Sequence, residues 1–300
     1  IPLRDGGTGA RAYAEAVSAY LGIALSRWSD YNNTICTWNS SNENVTHLFA
    51  RQAIPMTWDY VEANPLQSKL AFDATLSSIC PFLERAVLCE SDLGEATQQD
   101  AASMPPLKQM AVSTDPPYYD NIGYADLSDF FYVWMRRCLS LLYPDLFSTL
   151  LVPKQQELIA SRYRHNSEEE AKNHFESGLQ QVFHRLRNLL TADYPLTVYY
   201  AFKQQDAEAI DEGDDEVSSQ VTSSGWETIL SSLVDSAFCI VGTWPIRTER
   251  EVRSIAIGTN ALASSIVLVC RPRPENAPVI SRRQFIDALR RELPNALKEM

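Results

Sequence analysis

From residue 8 onward the apolar positions Tyr13, Ala16, Val17, Tyr20, Ala24, Leu25 and Trp28 recur at intervals of three and four, the stripe of a long amphipathic helix. The polar run 30–33 ends it. Residues 34–38 read as a short strand and 40–44 as a polar turn. Residues 47–61 predict a helix broken at Pro55, because proline removes a backbone donor and clashes with the preceding turn. A further helix is expected over 71–88. Residues 1–92 therefore read as a helical and short-strand segment that precedes a different pattern.

From 93 to 300 short apolar runs alternate with helical periods. Residues 95–105 are loop-like, and 108–114 form a strand. A helix follows over 125–142, with Leu127, Phe131 and Trp134 as a core stripe. The stretch 143–166 is irregular, proline-containing and basic. The clearest helix covers 168–190, with Phe175, Leu179, Val182, Phe183, Leu186 and Leu190 on one face. Strands are expected at 196–202, 238–243 and 264–270, and a helix at 226–235, with a hairpin-like connection between the last two strands. Such alternation predicts an α/β fold.

Three hundred residues, 45% of them hydrophobic, can bury a sizeable core in one large or two small domains. No apolar run approaches the roughly 20 residues of a membrane span, and the N-terminus lacks a signal peptide's apolar centre. These features predict a cytoplasmic protein without a membrane partner. A chain that starts at Ile1, inside what reads as a linker, is expected to be a fragment. The six cysteines (36, 80, 89, 138, 239 and 270) contain no Cys-x-x-Cys pair, so most of them read as small core residues rather than metal ligands. His174 and His184 sit ten apart on one predicted helix, on roughly opposite faces, and make no metal pair.

The net charge of −12 argues against a DNA-coating protein, which carries a broad basic face. Seven of the acids lie between Asp206 and Glu216, so the excess is partly local to one acidic loop. Basic clusters remain at Arg162, Arg164 and His165, at Arg247, Arg250 and Arg253, and at Arg271, Arg273, Arg282 and Arg283. Each is a solvated face by default; together they form a possible phosphate track.

The most informative chemistry lies at Ser113-Thr114-Asp115-Pro116-Pro117-Tyr118, directly behind the apolar Met110-Ala111-Val112. A strand that stops at two prolines presents carbonyls with no competing N–H donors, flanked here by a carboxylate and a ring. An exocyclic base nitrogen can donate to Asp115 and to the Pro116 carbonyl while Tyr118 stacks on the extruded base. The bland alternative is a strand-ending turn. The tetrapeptide arises by chance in on the order of one chain in a thousand of this length.

The run Thr114-Asp115-Pro116-Pro117-Tyr118-Tyr119-Asp120-Asn121, continued by 124–134, resembles the catalytic block of the zinc-ribbon-containing, adenine-specific DNA methylases. Residues 6–17, 49–56, 58–65 and 260–271 are similar to other blocks of that family. The resemblance implies a class I S-adenosylmethionine-dependent methyltransferase with a Rossmann-like sheet, helical additions and an antiparallel last strand. It also implies that the N-terminal half of the sheet is incomplete here, because these enzymes carry an early glycine-rich cofactor loop and no such strand-to-helix turn occurs.

The same resemblance implies roles for individual residues. Asp115, Pro116, Pro117 and Tyr118 would be catalytic. S-adenosylmethionine would meet Asp115 and also Asp100 and Ala101, within Gln98-Gln99-Asp100-Ala101. Tyr119 and Asn121 would adjoin the base, and Arg162 and Arg164 would approach DNA phosphates. Thr248 and Glu249 would line the cleft, and no metal is required. Asp59, Glu62 and Asn64 lie in a similar block without an assigned chemistry. A partner protein or an N-terminal segment would complete the cofactor site. The expected activity is methyl transfer to adenine N6 in DNA. Cytosine N4, RNA bases and glutamine remain alternative acceptors, and a non-catalytic DNA-binding or complex-forming module remains the alternative class.

Overall fold

The computed structural model describes every residue except 50–52, 86–93, 105–109, 120–121, 192, 202–214, 248–263 and 300, with backbone alone at 201, 215–224, 247, 264 and 294–299. It is a mixed α/β structure with six helices and a four-stranded mixed sheet among the described residues. The chain divides into two units, Ile1–Met104 with Pro117–Leu179, and Pro105–Pro116 with Gln180–Met300. The segment boundary expected at 92/93 lies outside the described residues.

The first unit contains α1 (Ala10–Ser29), α2 (Phe72–Arg85), α3 (Tyr124–Leu139), the first half of α4 (Glu168–Leu189) and a small hairpin of β1 (Trp38–Asn39) and β2 (Asn44–Val45). The helix expected from residue 8 is present, but the first half of its expected stripe faces solvent. Ala12, Gly22, Ala24 and Ser29 are buried, whereas Tyr13, Val17 and Tyr20 are exposed. Small side chains permit close approach: a Cβ on Gly22 would lie 2.9 Å from a Leu139 methyl on α3.

Two expectations for this unit fail. The strand at 34–38 is reduced to the two-residue β1, paired with β2 across the turn at 40–43. No described residue of 47–61 is helical. Distant backbone bonds replace the helical ladder there: the Leu48 N–H donates to the Asp30 carbonyl and the Val61 N–H to the Cys36 carbonyl, both at 2.9 Å. With Pro55 between them, residues 53–61 run without helix, and Ile54, Met56, Trp58 and Tyr60 are exposed at every second position.

The second unit is built on the sheet β3–β4–β6–β5, comprising β3 (Val112–Thr114), β4 (Leu196–Ala201), β5 (Phe238–Arg247) and β6 (Ser264–Pro272). β3 runs parallel to β4, and β6 runs antiparallel to both β4 and β5. Leu196, Val198 and Tyr200 bury one face of β4 by the alternation of a strand. Besides the sheet residues Leu268 and Cys270, the unit buries Ile229 and Leu233 of α5 (Asp215–Asp235), and Val182, Phe183, Leu186 and Leu189 of α4. Each large apolar side chain so buried contributes about 1.5–3 kcal/mol. The α4 stripe read from the sequence is therefore the core stripe, while α5 and β5 extend further than their apolar positions indicate. The chain closes with α6 (Arg282–Glu299).

Candidate functional site

The site starts where β3 stops. Its register pairs Val112 with Leu196, Ser113 with Thr197 and Thr114 with Val198, and the Thr197 hydroxyl donates to Ser113 Oγ at 2.9 Å. Asp115 follows directly at the carboxyl end of the strand and is exposed. Pro116 is buried, and Pro117 and Tyr118 are half-buried. Neither proline offers an N–H, so the peptide carbonyls here face no internal donor from those two positions. The division between the two units falls between Pro116 and Pro117.

Tyr119 has a positive φ of 28°, a conformation that costs a non-glycine residue about 1–3 kcal/mol. Its surroundings hold it there. The Ala160 N–H donates to the Tyr119 carbonyl at 2.9 Å, and the Tyr119 ring meets buried Phe175 edge-on at 5.1 Å. The ring expected beside the base is thus packed against α4. Asn121 lies outside the described residues.

The basic stretch after α3 is tied to the same segment. The Ala160 bond fixes it to Tyr119, and Ile159 is buried. Arg164 places one guanidinium nitrogen 2.6 Å from Asp126 and the other 2.6 Å from Glu157, while also donating to the Lys154 carbonyl at 3.1 Å. Glu157 in turn accepts the Ala125 N–H at the start of α3. Burial opposes the charge on Arg164, and the two carboxylates more than offset it, so its pKa is raised. Lys154 pairs with Asp129 at 2.6 Å, and the His165 ring lies 4.8 Å from that of His174. Arg164, expected on a phosphate, is therefore an internal brace. Arg162 is exposed, its guanidinium 5.2 Å from the Tyr163 ring.

The remaining expected positions are dispersed. Asp100 and Ala101 are exposed in a turn, where Asp100 Oδ1 accepts the Ala102 N–H at 2.9 Å and the Asp100 carbonyl accepts from Ser103. The strand end suggested by Gln98-Gln99-Asp100-Ala101 is absent, because this side-chain-to-backbone turn competes with a ladder. Arg247 closes β5, and Thr248, Glu249, Arg250 and Arg253 fall outside the described residues. The Arg273 guanidinium is directed to the Pro278 carbonyl at 3.2 Å, and Arg282 and Arg283 begin α6 in solvent.

No group of His, Cys, Asp and Glu among the described residues is arranged to hold a metal ion, and no described helix is long and apolar enough to cross a membrane. Sequence reasoning passes over a cleft of about 660 Å³ in the first unit, lined in part by Trp28, Tyr31 and Trp38. Its sequence signal is the presence of Trp28, Tyr31 and Trp38 within and around the run 30–33. The chain matches no family model, no curated protein and no solved structure.

Proposed function

We propose that this protein methylates an exocyclic amino group of a DNA base, adenine N6 in the first place, with Asp115, Pro116, Pro117 and Tyr118 at the reacting nitrogen. The observation that carries the reading is the position of Asp-Pro-Pro-Tyr at the carboxyl end of β3, since ligands of open α/β sheets bind outside the carboxyl ends of strands. A second observation agrees with it: the last strand, β6, is antiparallel to both neighbours, the arrangement that the methylase resemblance implies.

An amino nitrogen on an aromatic ring is a poor nucleophile, because its lone pair is delocalised. Hydrogen bonds from its two hydrogens to the Asp115 carboxylate and the Pro116 carbonyl favour a tetrahedral nitrogen and localise that pair. Tyr118 stacks on the extruded base and offsets part of the unstacking cost, by about 1–3 kcal/mol on the scale of aromatic–base contacts. The exposed carboxylate of Asp115 gives the displaced proton a route to solvent. S-adenosylmethionine supplies the electrophilic methyl group. Of the residues expected to hold it, Asp115 is given in this reading to the acceptor amino group, which leaves the exposed Asp100 for the cofactor. Asp100 already has one oxygen engaged by its own turn.

The test is Asp115→Ala in the intact protein. It should abolish methyl transfer and leave cofactor affinity nearly unchanged, because the carboxylate contacts the acceptor. Parallel loss of cofactor affinity would assign Asp115 a structural or cofactor role instead. A second reading, a non-catalytic DNA-binding or complex-forming module, draws on one sequence fact: none of the eleven glycines belongs to a glycine-rich strand-to-helix turn. A protein that binds DNA but shows no cofactor-dependent methyl incorporation would favour it.

A further inference from the structure

The cleft of about 660 Å³ in the first unit has the volume of a small-molecule site and gathers four separate stretches of chain. The end of α1 and the residues after it bring Arg27, Trp28 and Tyr31. The β1–β2 hairpin brings Trp38, the 58–65 block brings Glu62, and the approach to α2 brings Lys69. None of Asp115, Pro116, Pro117 and Tyr118 is among its lining residues.

Its walls are held both by bonds among lining residues and by neighbours outside the cavity. The Trp28 indole N–H donates to the Leu70 carbonyl at 2.9 Å, the Asn32 amide reaches the same carbonyl at 3.4 Å, and Phe72 meets the Trp28 ring edge-on at 6.1 Å. The Tyr31 hydroxyl lies 2.9 Å from His47 Nε2, and His47 Nδ1 lies 2.6 Å from Asp30 Oδ2. Side chains fixed in this way lose little freedom when a ligand arrives. Trp38, by contrast, stands 54% exposed on a two-residue strand, an indole left in water at the mouth of a cavity.

The lining selects a class of ligand. Three aromatic rings suit a planar heterocycle, and the exposed cations Arg27 and Lys69 suit an anionic group attached to it. Glu62 supplies an acceptor for an amino group on the ring. Glu43 and Glu62 line the cleft beside Arg27 and Lys69, so its charges are mixed: an apolar ligand would leave them facing hydrocarbon, whereas a ligand with both an anionic group and an amino-bearing ring can meet both signs. We propose that this cleft binds a nucleotide, with its base against Trp38 and Tyr31 and its phosphate on Arg27 and Lys69. The nucleotide is either free or part of a single strand of DNA, since both present the same chemistry. The proposal does not depend on methyl transfer.

Tryptophan fluorescence and titration calorimetry on the intact protein test it, with AMP, adenosine and a short single-stranded oligodeoxyadenylate as probes. AMP is expected to bind saturably and about tenfold more tightly than adenosine, and Arg27→Gln should remove that difference. Trp38→Ala should weaken AMP about tenfold while Trp38→Phe retains most of the affinity, because the ring face does the binding. Trp38 is exposed, so neither change disturbs the core, and an unaltered thermal midpoint verifies this. Asp115→Ala should leave the Trp38-dependent part of AMP binding unchanged whether or not the protein proves to be a methyltransferase, because Asp115 does not line this cleft. Saturable, Trp38-dependent binding of the oligonucleotide that AMP displaces supports the proposal with the strand as the source; binding of AMP alone supports it with the free nucleotide. Absence of saturable binding by either probe at millimolar concentration, or binding indifferent to Trp38→Ala, overturns it.

Discussion

Tyr119 and Arg164 are each held by neighbours within the first unit. The left-handed turn at Tyr119 persists because Ala160 and Phe175 both hold it, and Arg164 ties the loop beyond Ala160 back to Asp126. Arg164→Ala leaves Glu157 without its cation in a half-buried setting. The expected loss of stability is roughly 1–3 kcal/mol, below the figure for a fully buried pair because Asp126 is 57% exposed. Hydrogen exchange should then show deprotection of 153–166. An unchanged melting temperature with weakened DNA binding would return Arg164 to the phosphate role. At position 118, Phe should retain most of the activity and Ala should lose about 1–3 kcal/mol of base binding; a need for the hydroxyl would contradict stacking. Burial, with a smaller contribution from Cys239, pushes the Cys270 thiol up to about 12 from 9.0. The raised folded-state value stabilises fully below pH 9 and is lost as pH rises from there towards 12. Urea midpoints should therefore fall over that range, and less steeply in Cys270→Ala.

Among the elements, those with large apolar side chains at a regular period were legible in the sequence. The α4 stripe Phe175, Leu179, Val182, Phe183 and Leu186 is buried as its spacing predicts. On α1 the expected stripe holds at Ala24 and fails at Tyr13, Val17 and Tyr20, because Ala12, Gly22 and Ser29 are buried instead and an apolar stripe does not mark them. The false helix at 47–61 failed for a different reason: its backbone donors go to partners many residues away, which local pattern does not encode. The motif itself was legible as a word, whereas the ring contact of Tyr119 with Phe175 and the pairing of Arg164 with Asp126 join residues 56 and 38 positions apart. Gly178 offers a test of this packing. A Cβ there would overlap a Leu158 methyl, so Gly178→Ala should destabilise by about 1–3 kcal/mol even though Ala favours a helix by about 1 kcal/mol. A stabilised variant in urea denaturation would show that Leu158 and its loop yield freely.

For the molecule as a whole, a net charge of −12 means that the proposed DNA substrate would be met by a local set of cations rather than by a broad field. In the loop 153–166, Arg162 is exposed while Lys154 and Arg164 are engaged by carboxylates. Arg162→Glu should lower DNA affinity on all sequences and reduce the salt slope by about one phosphate contact, whereas an unchanged slope would place the loop away from DNA. The central claim is that the strand end at Asp115 activates a base amino group for methyl transfer. The most direct measurement is nucleoside mass spectrometry of DNA incubated with the intact protein and methyl-labelled S-adenosylmethionine. The account predicts labelled N6-methyladenine with the unaltered protein and none with Asp115→Ala; equal labelling by the two, or no labelled nucleoside while both DNA and cofactor are bound, would contradict it.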